Sequence, residues 1–283
     1  STLAFSPFNI KLIIPFTLSA LIYSTFNSRN VFDACKRAFS WGLGYWICGT
    51  GWLIVSIHYY GNTNIIIASI IILLMGILLS GVFIAPFALA RFIQFNQNIF
   101  FKSLAIASIL IILEFSRFLL LGGFPWLLPG LVFIDTLGQT TIPIFGVYGA
   151  SYIIYFFSSL IAFSVLEKRK NFLFLGVSFL LIFIPYQTNQ KYESYQGLNL
   201  SIIQPSLDPF KKYTAGSDVA IEDTLLDLTN KSNDADLIIW PESPLPYLNS
   251  DPRMTRLISK LGEEQIILSG SWQYQNNKLH NSM

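Results

Sequence analysis

Few residues in this chain have a type and setting suited to chemistry. Glu242 closes the run Asp236-Leu237-Ile238-Ile239-Trp240-Pro241-Glu242-Ser243. The apolar stretch, with two β-branched residues, reads as a strand buried on both faces. Pro241 has no N–H to give a sheet ladder, so the strand stops there and Glu242 stands at its carboxyl end. In open α/β layers that end is where ligands and catalytic groups collect. A solvated Glu after an ordinary buried strand gives the same pattern, so the octapeptide alone leaves both readings open. Glu114 and Arg117 lie three apart in an apolar stretch and can pair on one helix face. Charges in a span are costly and often functional, but a satisfied structural pair near the end of a span fits equally. Cys35 in a basic connection and Cys48 in an apolar run suggest no disulfide framework. His58 reads as an interfacial residue without chemistry. The two His and two Cys lack metal-ligand spacing, and there is no phosphate loop or dinucleotide fingerprint, so no metal or cofactor is expected.

The elements that hold these residues divide by polarity. The chain has 283 residues, 53% hydrophobic and 12% charged, with a mean hydropathy of +0.53. Soluble domains carry roughly 25% charged residues, so this is the composition of a membrane protein. The formal charge of +2 gives no footprint for nucleic acid. Apolar stretches at 11–26, 39–57, 64–90, 103–121, 142–166 and 172–186 predict about six spans, each needing roughly 20 residues. Gly42, Gly44, Gly49 and Gly51 are expected to let helices approach the second span. Arg29, Lys36 and Arg37, then Arg91 and Lys102, then Lys168, Arg169 and Lys170 fall in alternate connections. Connections 58–63 and 122–141 have no Lys or Arg. The basic side is cytoplasmic by the positive-inside rule, which puts the polar C-terminal part on the opposite side. Leu121 to Gly130, apolar and aromatic and broken by Gly and Pro, lies level with the outer leaflet. Trp126 there is either an interfacial anchor or part of the wall of a lipid-facing entrance.

A polar stretch near Gln187 to Gly197 is the expected boundary, giving domains 1–190 and 191–283. Leu198 to Pro205 reads as a strand. Asp218 to Lys231 has helical apolar spacing, with Ser217 or Asp218 available as a cap. The 236–239 strand follows, then a helix over Pro252 to Leu261 stopped by Gly262, and a strand over Gln265 to Gly270. This alternation predicts an α/β layer with a parallel core, unfinished because a parallel sheet needs both faces covered. The chain is expected to be cut at both ends, with no capping element after His280-Asn281-Ser282-Met283.

Taken together, Leu3-Ala-Phe-Ser-Pro-Phe-Asn9, Gly51-Trp-Leu-Ile-Val-Ser-Ile-His58, Leu113-Glu-Phe-Ser-Arg117 and Gly122-Gly-Phe-Pro-Trp126 resemble the bacterial apolipoprotein N-acyltransferases. Gly146-Val-Tyr-Gly149, Ile203-Gln-Pro205, Trp240-Pro-Glu-Ser243 and Leu268-Ser-Gly270 continue the resemblance over essentially the whole chain. It implies a polytopic α-helical membrane domain followed by an α/β nitrilase-like domain, an α-β-β-α sandwich, incomplete here at its C-terminus.

The resemblance also implies a two-step acyl transfer by a Glu–Lys–Cys triad. A Cys thiolate takes an acyl chain from a phospholipid as a thioester, which then passes to the N-terminal amine of a diacylglyceryl-cysteine apolipoprotein. Glu242 matches the family's general base, while Trp126, Gln204 and Tyr213 are candidate substrate-binding residues. The triad lysine and cysteine come well after the glutamate in the family and are not in this sequence, so the chain as given is expected to be inactive. The full protein is expected to be a monomer in the bacterial cytoplasmic (inner) membrane, its C-terminal domain periplasmic. Its partners are the phospholipid donor and the apolipoprotein acceptor. The alternatives are a non-catalytic remnant or membrane partner protein, and a nitrilase-type amide hydrolase.

Overall fold

Hydropathy dictates the first part of the fold. In the computed structural model the helices are α1 (Ile13–Phe26), α2 (Val31–Thr50), α3 (Leu53–Val55), α4 (Ile65–Phe83), α5 (Ile99–Leu120), α6 (Ile142–Leu166) and α7 (Lys170–Ser178). All residues are described except 93–97, 187–196, 209, 233, 263–265, 276 and 283. Most of the expected linker at 187–197 therefore lies outside the described residues, as do Gln265 and Met283. The chain clusters into two units, Ser1–Asn189 and Gln190–Met283.

Among the described residues, three helical segments of the first unit are long and apolar enough to cross a membrane: Ile65–Arg91, Ile99–Leu120 and Leu137–Leu166. Ile13–Phe26 and Lys170–Phe183 are apolar but shorter. Asparagines start several of these helices. The Asn30, Asn64 and Asn98 side chains accept from the backbone N–H groups of Asp33, Ile66 and Phe101, each satisfying a donor the helix leaves open. Apolar side chains such as Ile66, Leu74 and Leu78 face outward from α4, as on a helix in contact with lipid.

The cap at Asn30, and an Arg37–Asp33 pair at 2.9 Å one turn apart, carry α2 back to Val31. Cys35, Lys36 and Arg37 are thus helical, not part of a connection as the sequence suggested. The glycines of the second span also behave unequally. A Cβ on Gly42 would stand 3.0 Å from Ser80 Cβ of α4, and one on Gly49 would stand 2.3 Å from a Leu127 methyl. Gly51 would meet its own helix at the Ile47 carbonyl, and Gly44 has nothing within 4 Å, so neither mediates the close contact expected of it. The Ser19 hydroxyl of α1 donates to the Ser158 carbonyl of α6 at 3.0 Å. Gly146 kinks α6 at φ +69°, a conformation that favours glycine.

The second unit is built on a sheet of β1 (Leu200–Ile202), β2 (Leu237–Ile239) and β3 (Ile266–Leu268), parallel and in that order. Leu200, Leu237 and Ile266 share one register position, and Ile202, Ile239 and Leu268 another. Helices α8 (Ser217–Asn230) and α9 (Pro252–Ile258) supply Ile221, Leu225 and Leu257 to a core with Ile203, Ile238 and Trp240. The opposite sheet face is open: Leu200, Ile202, Ile266 and Leu268 are exposed. α9 ends short of Leu261: Ser259 bonds back four residues, to the Thr255 carbonyl, but Lys260 only three, to that of Leu257, in a closing turn. The expected cap of α8 is corrected. Gly216, at φ +79°, is its N-cap; Ser217 turns its hydroxyl to the Lys212 and Thr214 carbonyls, and Asp218 pairs with Arg253 at 2.7 Å.

A further antiparallel hairpin, β4 (Ser271–Gln275) and β5 (Lys278–Ser282), occupies the stretch read as having no capping element. Its sequence carries a signal for it: Trp272 and Tyr274 alternate with polar residues before Asn277. Asn277 has φ +59°, which asparagine tolerates better than most residues.

Candidate functional site

The ladder of the parallel sheet continues briefly beyond its strands: the Ile203 N–H bonds the Ile239 carbonyl, and the Trp240 N–H bonds the Leu268 carbonyl, each at 2.9 Å. Beyond these bonds the chain leaves each of the three strands at the carboxyl edge. Gln204 leaves β1, Glu242 leaves β2 and Gly270 leaves β3. Pro241 ends β2 as its missing N–H requires. Trp240, buried just before it, donates its indole N–H to Thr229 Oγ1 of α8 at 3.0 Å and pins the strand end to the helix.

Glu242 is exposed, so its carboxylate is open to a reacting proton. Asn281 of β5 donates its side-chain N–H to Glu242 Oε1. The Ser243 hydroxyl donates to Asn281 Oδ1 at 2.8 Å. Ser243 itself is buried, with φ +43°, a left-handed conformation that costs energy for a non-glycine residue and persists only where its surroundings impose it. Two features of its surroundings bear on it. Lys212 Nζ donates to the Ser243 carbonyl, and Gly270 lies so near that a Cβ there would stand 3.1 Å from the Ser243 nitrogen and 3.2 Å from Glu242 Cα.

Of the residues singled out from sequence in this unit, Gln204 is exposed at the same sheet edge as Glu242. Tyr213 is 65% exposed, and its ring lies 5.4 Å from Lys212 Nζ, the ammonium that holds the Ser243 carbonyl. Sequence reasoning missed Asn281, Ser243 and Gly270 as partners of Glu242. Asn281 is 39 positions from Glu242 and reaches it through the hairpin.

A second cluster lies wholly within the helical unit and positions Trp126. Arg117, 2% exposed, sits 3.6 Å from Glu114 and donates to the Trp126 carbonyl at 2.8 Å. Its guanidinium also lies 4.8 Å from the ring centre of Trp46 and 5.7 Å from that of Phe124. Tyr155 donates its hydroxyl to Glu114 at 3.2 Å, and Tyr45 donates to the Leu127 carbonyl at 2.6 Å. The buried pair is partly satisfied: Glu114 Oε1 has Arg117 and Tyr155, whereas its Oε2 has no hydrogen-bond partner among the described residues. The result is a clamp on the loop after α5. Trp126 itself is 37% exposed and packs edge-on against Trp52 and Phe124, with ring centres 5.1 and 4.8 Å apart.

The profile described as "Apolipoprotein N-acyltransferase N-terminal domain" matches residues 1–160. Curated relatives named apolipoprotein N-acyltransferase are similar over most of the chain. The one from Pseudomonas syringae pv. tomato is 29% identical over 260 residues, covering 88% of this chain and 50% of the relative. That from Coxiella burnetii is 29% identical over 264 residues, covering 86% and 51%. That from Haemophilus ducreyi is 28% identical over 292 residues, covering 99% and 56%. The chain spans about half the length of the curated relatives it matches. With a match over more than half its length and a helical unit suited to a membrane, the chain belongs to the apolipoprotein N-acyltransferase family.

Proposed function

We propose that this chain is the membrane part and the first portion of the acyl-transfer domain of an enzyme that N-acylates lipoproteins. In this reading residues 1–190 form a multi-pass domain of about six spans in the bacterial inner membrane. Residues 191–283 begin a nitrilase-like domain on the periplasmic side, and the protein works as a monomer. The basic connections on one side of the spans support that orientation. The open apolar sheet face, with Leu200, Ile202, Ile266 and Leu268 exposed, supports an α-β-β-α sandwich in which a second sheet covers it. A parallel sheet left bare on one face would keep that apolar area in water.

The observation that carries the functional reading is the exposed Glu242 carboxylate at the carboxyl edge of the parallel sheet, held by Asn281. In the family chemistry Glu242 takes the proton of the cysteine thiol as the thiolate attacks an ester carbonyl of the phospholipid. The lysine of the triad stabilises the oxyanion, and the lysophospholipid leaves as an alcohol. The amine of a diacylglyceryl-cysteine then displaces the thiolate from the thioester. Gln204 and Tyr213 flank the edge where the reacting groups meet. The aromatic loop carrying Trp126 forms the wall of a lipid-facing entrance, which suits a phospholipid donor better than the soluble substrate of an amide hydrolase.

The test is mass spectrometry of the full-length enzyme carrying this sequence, incubated with phospholipid vesicles. The wild type gains an acyl group labile to neutral hydroxylamine, and Glu242→Gln gains none. A Glu242→Gln protein that charges with lipid at the wild-type rate removes Glu242 from the base's role.

A further inference from the structure

Resting on the reading of Glu242 as proton acceptor, we propose that Asn281 is the positioning residue of this site, aiming the Glu242 carboxylate through a hydrogen bond while Ser243 holds the amide from its other side. A solvent-facing Glu has several rotamers, and holding it in one costs side-chain entropy. Proton abstraction requires the carboxylate within hydrogen-bond reach of the thiol it serves. Asn281 meets this need because its amide donates to Glu242 Oε1.

The amide has one sensible orientation. An ionised carboxylate only accepts, so the NH2 of Asn281 must face Glu242 and its Oδ1 must face away. Ser243 Oγ lies 2.8 Å from that Oδ1 and donates to it. The carboxylate thus fixes the amide's orientation, and the hydroxyl, able to donate or accept, supports it from the far side. Ser243 is itself held at φ +43°: its carbonyl accepts from Lys212, and the close approach of Gly270 leaves its backbone little room.

The fold explains why Asn281 arrives there. β4 starts immediately after Gly270, and β5 returns along it with Trp272 opposite Asn281. The Asn249 N–H bonds the Trp272 carbonyl at 2.9 Å, tying the hairpin to the segment that follows Glu242. A neutral amide is suited to this place, since it restrains the base while adding no charge. Side chains supporting a reacting group act in this way, and small displacements of such a group can cost about 100-fold in rate.

The experiment is single-turnover acyl-enzyme formation by the full-length enzyme with phospholipid vesicles. Asn281→Ala and Asn281→Asp are compared with wild type and Glu242→Gln. Asn281→Asp keeps the shape and the acceptor for Ser243 but loses the N–H donor. Both Asn281 variants are expected to lower the maximal acylation rate about 10- to 100-fold, leaving the half-saturating phospholipid concentration and the melting temperature unchanged. Adding Asn281→Ala to Glu242→Gln should slow any residual reaction no further. A dead Glu242→Gln with Asn281→Asp at the wild-type rate overturns the positioning role alone, as does a rate loss in Asn281→Ala that Asn281→Asp does not share. A fully active Glu242→Gln instead removes the functional reading on which the inference stands.

Discussion

Arg253 shows how single charged residues hold the second unit together. Its guanidinium bonds Asp218 at the start of α8 at 2.7 Å and Asp251, the cap of α9, at 2.8 Å. It also lies 4.4 Å from the ring centre of Tyr247, whose hydroxyl donates to the buried Glu222 at 2.9 Å. Hydrogen bonds from Arg253 hold Asp251 down to about 2 and Asp218 below the usual carboxylate range. Both folded values lie under the ordinary Asp value of about 3.9. Their contribution is therefore fully present above pH 4 and is lost as pH falls toward 2. Melting curves of wild type and Arg253→Ala should differ at pH 6 and converge near pH 2. A gap that stays constant down to pH 2 would mean that Arg253 acts through packing on Tyr247 and not through the carboxylates. None of these partners is adjacent in sequence to all the others, so the cluster could not be read from spacing.

At the scale of elements, the loop between α5 and α6 depends on close backbone approach. A Cβ on Gly130 would stand 2.2 Å from the Val147 carbonyl and 2.8 Å from the Ser151 nitrogen, both backbone atoms of α6. The Gly130 N–H also bonds Ser151 Oγ at 2.9 Å. Gly130→Ala is expected to cost about 1–3 kcal/mol, the range for overpacking. Gly44→Ala, with open space around it, should be neutral or slightly stabilising. Thermal unfolding of the detergent-solubilised variants checks both, and equal melting temperatures would refute the close packing. Long apolar runs made α4, α5 and α6 legible, and the β-branched run ending at Trp240-Pro241 made β2 and the place of Glu242 legible. The support of Glu242 was not, because it depends on a hairpin folding back across 39 residues. The cap of α8 was misread because Ser217 and Asp218 both have cap chemistry. Gly216 takes the N-cap position, and their side chains find partners outside the helix. The basic neighbours of Cys35 read as a connection, whereas the Asn30 cap and the Asp33–Arg37 pair extend the helix through them.

Over the whole molecule, two chemistries meet in one chain. The helical unit exposes apolar side chains around α4 and clamps an aromatic loop through Arg117, while the second unit presents a carboxylate at a sheet edge. In the function proposed above, the first would meet the lipid donor and the second would take the proton. The most direct measurement is transfer itself: full-length enzyme, phospholipid vesicles and a synthetic peptide beginning with diacylglyceryl-cysteine, with the peptide's N-terminal amine followed by mass spectrometry. The account predicts an added acyl chain with the wild type, none with Glu242→Gln, and a slowed appearance with Asn281→Ala. A peptide acylated equally by all three would contradict it.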